Sequence, residues 1–336
     1  MNSISAVSRR RLIGATAAVL AVFALTAAAA NATRSRAAAP VRVAYLSYAV
    51  ANSYDAPMLA AAKAVAKSNG AKVTVFDAAN DPKKQLAELQ TAASSKQYDA
   101  IIVQPIFGPQ LTSAIKSAIK SGIKVVNMDQ NLGTNPGSVA PPIKGLSGNV
   151  IFVQNEIGQR QGALTVKACA ELNANPCKVG YLYSVKVSSL DTAIRKAFDA
   201  ATAGHNIQVV AEGETFYNPA NALKAAQTML QAHSDINVIV GADQGATGAQ
   251  QALNGQKVTL IGYGGGGVGL KAVGSGAWYG TVVQKPATEG RLAMKCAIQA
   301  VKNGKGCGGI DVLKGLPDDG TVTQANASKF TAEWPG

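Results

Sequence analysis

"DAIIVQPIFGPQLTSAIKSAIKSGIKVVNMDQN" (Asp99–Asn131) contains an apolar run, an amphipathic run and a second apolar run. "DAIIVQP" (99–105) has the length of a strand and closes on proline. "GPQLTSAIKSAIKSG" (108–122) places Leu111, Ala114, Ile115, Ala118 and Ile119 at helical spacing, and Gly122 stops the helix. "KVVNMD" (124–129) is again a strand. Two strands joined through a helix pair in parallel, because that connection carries the chain back to the same end of the sheet. The stretch therefore reads as one β-α-β unit.

The alternation extends in both directions. "VRVAYLS" (41–47) and "KVTVFDA" (72–78) precede it as strands, with "PKKQLAELQTAASSKQ" (82–97) as a helix. "CKVGYLYS" (177–184), "IQVVAEGE" (207–214), "INVIVGAD" (236–243) and "VTLIGYG" (258–264) restart the series, with "PANALKAAQTMLQAH" (219–233) as their clearest helix. Two such series predict an α/β chain with two parallel-sheet lobes covered by helices on both faces. "PPIKGLSGNVIFVQ" (141–154) is the expected first crossing between them.

Ligands of such sheets sit outside the carboxyl ends of the strands. Asp129 stands at one such end, followed by the amides Gln130 and Asn131. Tyr48 and Asn52, Gln104, and Asp243 with Gln244 fall on the same edge. A single polar strand end is ordinary turn chemistry. Several on one edge of two lobes predict a cleft lined with polar groups, with helix N-termini adding backbone donors.

Other features bound the function. "SRRRLIGATAAVLAVFALTAAAANA" (Ser8–Ala32) has arginines, an apolar run and an A-x-A ending, the anatomy of an export signal. Arg9-Arg10 followed by Leu12 and Ile13 points to the twin-arginine route, and no cysteine follows for lipid attachment. The formal net charge is +13, and removing Arg9, Arg10 and Arg11 with the acid-free leader leaves +10. Lysines are scattered singly along helical runs, which describes solvated faces and not a nucleic-acid surface. A basic exterior suits an anionic ligand or an anionic envelope surface.

Cys169 with Cys177 and Cys296 with Cys307 form two local pairs, without zinc-type spacing. In an exported chain they predict two structural disulfides. His205 and His233, the only histidines, fall on the edge opposite the cleft. Nucleophilic triads and metal sites are therefore not expected, nor is any cofactor. "GYGGGGVG" (262–269) matches G-x-G-x-x-G at Gly262, Gly264 and Gly267. It closes an α/β series instead of opening one, and the next strand-like run, "WYGTVVQ" (278–284), offers no acid for a ribose. A close-approach loop at the cleft rim is the expectation, and a nucleotide or phosphate loop of an exported enzyme is the alternative.

The export signal, "VAYLS…ANSYDAPMLAAAKAVAKSNGAKVTVFDAANDPKKQLAELQTAASSKQYDAIIVQP" and "VVNMDQN" together resemble the ribose-binding-protein-like (type I) periplasmic solute-binding proteins that feed ABC transporters. The likeness runs from about Val41 to the early 310s, and "AANDPKKQLAELQ" and "DAIIVQP" are its most specific pieces. It implies a signal at 1–32, one lobe from 41–152 plus about 286–310, and a second from about 153–284 plus about 311–330, joined by three hinge crossings. It also implies a monomer that closes on one sugar or polyol and is recognised by membrane permease subunits. A sensory module presenting ligand to a receptor is the other use of such a closed form.

Carried over residue by residue, the resemblance implies ligand contacts from Asn52, Tyr54 and Asp55, from Asp129 and Gln130, and from Asn155. In the second lobe it implies Asp191 or Arg195, Tyr217 with Asn218, Asp243 and the position of Gly264, with Gln284 at the hinge. Asp55 replaces a frequent second aromatic, and Gln130 stands where an arginine is common. Gly264 stands where sugar binders place an aspartate. These departures move the expected ligand from an ordinary pentose or hexose toward a smaller polyol, a modified sugar or another ligand.

Overall fold

The computed structural model describes residues 39–336, so the expected export signal lies outside the described residues. No helix among the described residues is long and apolar enough to cross a membrane.

The opening β-α-β unit is β3 (Ala100–Val103), α3 (Gly108–Lys120) and β4 (Lys124–Asp129), preceded by β1 (Arg42–Ser47), α1 (Asp55–Ser68), β2 (Lys72–Asp77) and α2 (Pro82–Ser94). With β5 (Gly148–Ile151) and β11 (Gly308–Asp311) these strands form a six-stranded sheet ordered β11-β5-β4-β3-β1-β2. Every pairing in it is parallel. Side chains of successive residues alternate between its two cores. Ile102, Val126 and Met128 pack with Met58 of α1 and Met294. Ile101, Val103 and Val125 pack with Leu89 of α2 and with Leu111 and Ile115 of α3. Burial on both faces is why these strands read as continuous apolar runs.

The second half contains α4 (Gln154–Glu171), β6 (Cys177–Tyr183), α5 (Ser189–Thr202), β7 (Ile207–Glu214), α6 (Pro219–Ala232), β8 (Val238–Val240), α7 (Asp243–Ala252), β9 (Thr259–Ile261) and α8 (Gly267–Gly274). β10 (Thr281–Val282), α9 (Pro286–Asn303) and β12 (Thr321–Val322) complete the fold. The second sheet is ordered β7-β6-β8-β9 and is parallel. Bridges Ile261–Gly280 and Gly264–Val283 extend it to β10, which pairs antiparallel with β12. The runs 236–243 and 258–264 are strand only at Val238–Val240 and Thr259–Ile261, and Asp243 already begins α7. Likewise, only Thr281–Val282 of the run 278–284 is strand.

Local chemistry sets several boundaries. Asp81 caps α2 by accepting from the Lys83 and Lys84 N–H groups, with Pro82 in the first turn. Asn218 caps α6 in the same way, ahead of Pro219. Helix pairs approach through glycine: a Cβ on Gly290 in α9 would lie 2.1 Å from the Met58 carbonyl oxygen of α1. A Cβ on Gly158 in α4 would lie 2.1 Å from the Ile194 carbonyl oxygen of α5. Both expected disulfides are present. Cys169 in α4 joins Cys177 at the start of β6, and Cys296 in α9 joins Cys307 just before β11.

Candidate ligand site between the two sheets

The carboxyl ends of β1, β3 and β4 face those of the second sheet across a cavity. The first half supplies Tyr48, Asn52, Tyr54, Asp55, Gln104, Asp129 and Gln130 to its wall. The second supplies Leu190, Tyr217, Ala242, Gln244 and Tyr263, and Gln284 and Trp334 complete it.

The first wall is a hydrogen-bonded array. The Tyr48 N–H donates to Gln104 Oε1 (3.0 Å), which orients the amide. Gln104 Nε2 then donates to Asp55 Oδ1 (2.6 Å) and to Asp129 Oδ2 (3.0 Å). The Tyr54 hydroxyl donates to Asp129 Oδ1 (3.1 Å). Asn52 Oδ1 accepts from the Tyr54 N–H (2.8 Å), a local turn that leads into α1. Asp129 ends β4 with φ +69°, a left-handed conformation costly for a residue with a Cβ. The local strain is at the residue that faces the cavity.

Burial dominates the electrostatics. It raises the pKa of Asp129, against the lowering effect of bonds from Gln104 first and then Glu289, Tyr54 and Gln130. Glu289, fully buried in α9 behind Asp129, is pushed well up by burial and then by the Asp129 charge. The upward push is the larger at Glu289, while the hydrogen bonds to Asp129 from Gln104 and Tyr54 favour its charged form. Asp55 is also raised well above its ordinary value, by burial first.

The second wall is aromatic and uncharged. The Tyr48 and Tyr217 rings meet edge to face across the cleft, with centroids 5.9 Å apart. Tyr263 OH and Ser184 Oγ are hydrogen-bonded at 3.2 Å. The halves also touch at the rim, where the Gly108 N–H donates to Ser189 Oγ (3.2 Å) and the Ser189 N–H to the Ile106 carbonyl (3.2 Å).

Seven residues expected at the ligand face the cavity: Asn52, Tyr54, Asp55, Asp129, Gln130, Tyr217 and Gln284. Six others do not, Asn155, Asp191, Arg195, Asn218, Asp243 and Gly264; Asn218 is the cap of α6. Asp191 accepts from the Ser184 and Val185 N–H groups and the Ser188 hydroxyl, which fixes the turn into α5. Its neighbour Leu190 lines the cavity instead. Asp243 accepts from the Gly266 N–H (2.8 Å) and the Thr281 hydroxyl (2.7 Å). Asn155, half-buried at the start of α4, donates its N–H to the Pro136 carbonyl. Arg195, considered as a substitute for Asp191, pairs with Asp199 and Glu212 and stacks over Tyr181.

Gly264 is the last of these. Its φ is +135°, and a Cβ there would lie 2.5 Å from the Trp334 ring. The aspartate found here in sugar binders cannot fit, because an indole occupies its space. Trp334 Nε1 donates to the Gly264 carbonyl (2.9 Å), and the ring meets Tyr54 edge to face at 5.4 Å. Trp334 thus supplies an aromatic wall where Asp55 replaces an expected ring.

The glycine loop is explained by the same segment. The Gly267 and Val268 N–H groups at the start of α8 donate to the Trp334 and Pro335 carbonyls, both at 2.9 Å. The donors that a phosphate would need there are engaged by the protein's own backbone. Glu333, one residue earlier, accepts from the Thr288 N–H (2.8 Å) and hydroxyl (2.6 Å) at the start of α9. Trp334 and Tyr263 were not singled out from sequence. The available signal was "EWPG" (333–336): a tryptophan in a polar tail commonly marks a buried anchor.

Comparisons with known proteins agree with this architecture. The chain is 26% identical over 235 residues to the ribose import binding protein of Bacillus subtilis, covering 69% of this chain and 72% of that protein. A Caulobacter myo-inositol binding protein bound to myo-inositol superposes with a TM-score of 0.70 at 22% identity, covering 87% of this chain and 96% of that one. A Mycobacterium smegmatis ABC transporter solute-binding protein with bound glycerol gives 0.70 at 23% identity, over 88% and 99%. At such identities the structural matches speak for the fold. The periplasmic binding protein domain model matches residues 43–306, and the chain belongs to that family, with the type I fold.

Proposed function

We propose that this protein is an exported solute-binding protein that captures a small polyhydroxylated ligand, a sugar or polyol, and delivers it to the membrane subunits of an ABC importer. It works outside the cytoplasmic membrane as a soluble monomer and returns its ligand unchanged. The observation that carries the reading is the cavity between the facing strand ends, where Asp129 and a set of amides lie among five aromatic rings. Carboxylates and amides suit hydroxyl groups, and ring faces suit the C–H face of a polyol. The ligands named for the B. subtilis, Caulobacter and M. smegmatis proteins, ribose, myo-inositol and glycerol, are of this class.

In this reading one lobe is 41–152 with about 286–310 and the other about 153–284 with about 311–330. Asn52, Gln130 and Gln284 orient the ligand, Asp129 accepts from its hydroxyls, and Tyr54, Tyr217 and Trp334 cover it. The 150–155 crossing and Gln284 act as the hinge, and the closed form is what the importer recognises. Mass spectrometry of material released from the purified protein tests the ligand class. A polyol or sugar recovered unmodified supports the reading, whereas turnover of it overturns the binding-only assignment. Small-angle scattering adds a test of closure, since saturating ligand should compact the particle.

A further inference from the structure

Asp55 and Asp129 are 4% and 2% exposed and lie on one wall of the cavity. They are within hydrogen-bond reach of a single nitrogen, Gln104 Nε2, which spends both of its hydrogens on them. Among the described residues, none that lines the cavity is a lysine, arginine or histidine. Glu289 adds a third carboxyl group behind Asp129 and no positive charge. Buried carboxylates without a cation are costly, so their neutralisation must come from protons or from an occupant.

A second observation points to the occupant. Gln130 Oε1 and the Tyr48 hydroxyl belong to residues 2% exposed that line the same cavity, and neither atom has a hydrogen-bond partner among the described residues. The amide oxygen can only accept. The wall thus presents Asp55, Asp129 and Gln130 Oε1 as acceptors, with the Tyr54 and Trp334 rings in edge contact on the same cavity. Acceptors converging within an aromatic enclosure match a compact cation that donates several hydrogen bonds.

We propose that the ligand is an amino polyol or amino sugar, whose protonated amine is held by Asp55 and Asp129 while its hydroxyl groups take the amides. The proposal rests on the polyol-binding reading and sharpens its substrate class. An ammonium brings three donors and the missing charge, and the resulting bonds are charge-assisted at both ends. The basic exterior of the chain does not reach the cavity wall, so the preference is set by the site itself.

Calorimetry and thermal-shift measurements with matched pairs test it: glycerol against serinol, glucose against glucosamine, and scyllo-inositol against scyllo-inosamine. At least one amine should bind roughly tenfold or more tightly than its hydroxyl counterpart, the scale of one charge-assisted bond. N-acetylation of that amine, which removes the charge, should abolish the gain. In Asp55→Asn, checked for folding by its melting transition, the amine-to-hydroxyl affinity ratio should fall toward one. Neutral members binding as tightly as the amines would overturn this inference and leave polyol binding intact. Failure of every pair to bind would overturn both.

Discussion

Asp129 and Asp243 lie on the same edge of their sheets and are both buried, Asp129 as the last residue of β4 and Asp243 as the first of α7, yet they do different work. Asp129 is held by the side chains of Tyr54 and Gln104 and faces the cavity. Asp243 is held by the Gly266 backbone and Thr281, and Cβ atoms on Gly262 or Gly269 would each lie 2.3 Å from one of its oxygens. One carboxylate faces an opening; the other is enclosed by a loop with no room beside it. An aspartate at a strand end therefore identifies a ligand contact only when the following loop leaves its oxygens unenclosed. The same difference separates the two walls: the first half brings acids and amides, and the second brings uncharged rings.

The largest expected effect comes from the segment that closes over the Asp243 loop. Trp334 is 4% exposed and bonds to Gly264, while the carbonyls of Trp334 and Pro335 serve α8. Trp334→Ala should cost about 3–5 kcal/mol of stability, the range for a buried aromatic truncated to alanine. Denaturant unfolding measures it. A loss below about 1 kcal/mol would mean that the indole merely rests on the loop. Such a result would remove the steric account of Gly264.

The next effect separates the aspartates by pH. Burial pushes Asp243 and Asp191 up to about 6 in the folded protein. Both would titrate near 3.9 when unfolded, so the folded state holds the proton more tightly. Stability is then greatest below the unfolded value and falls as pH rises between about 4 and 6, with a slope approaching about 1.4 kcal/mol per pH unit for each group. The upward directions at Asp55, Asp129 and Glu289 act in the same sense. Asp99 and Glu212, lowered by Arg42 and by Lys186 with Arg195 respectively, act in the opposite sense but are screened at the surface. The melting temperature should be higher at pH 4.5 than at pH 7. Asp243→Asn should flatten part of that dependence and leave ligand affinity unchanged, and a loss of affinity would place Asp243 at the ligand after all.

The sheets and most helices were legible because parallel strands buried on both faces read as unbroken apolar runs, and because Asp81-Pro82 and Asn218-Pro219 mark helix starts. Two disulfides followed from local cysteine pairs. Strand ends gave Tyr48, Gln104, Asp129 and Gln244 correctly as cavity residues, since position in a parallel strand fixes which edge a residue meets. The failures share a cause. Trp334 reaches Gly264 across 70 positions of sequence, and no local period encodes such a contact. Asp191 was carried over from the resemblance and Asp243 from that and its strand edge, while their actual partners are backbone N–H groups and neighbouring hydroxyls that any loop could have presented differently. Glu289 lay on a helix whose buried face is invisible until α9 is placed against β4.

The smallest expected effect on stability is also the sharpest test of the comparison. Asp129→Asn keeps the shape of the side chain and removes its charge. An asparagine oxygen can still accept from Tyr54 or Gln104, and the buried Glu289 loses a charged neighbour that raised its pKa. The ligand-free melting temperature should therefore stay near that of the parent. Binding should not. A carboxylate accepts from two hydroxyls or from an amine with charge assistance, and its replacement should weaken binding by about 1.5–3 kcal/mol, the scale of a hydrogen bond to a charged group. Calorimetry with the ligand recovered from the purified protein reads this directly. The expected pattern is a loss of affinity without a loss of stability, whereas Asp243→Asn should keep its affinity and change only how stability depends on pH. Equal affinity in Asp129→Asn would make the left-handed end of β4 an ordinary turn, and the contrast between the two aspartates would fail.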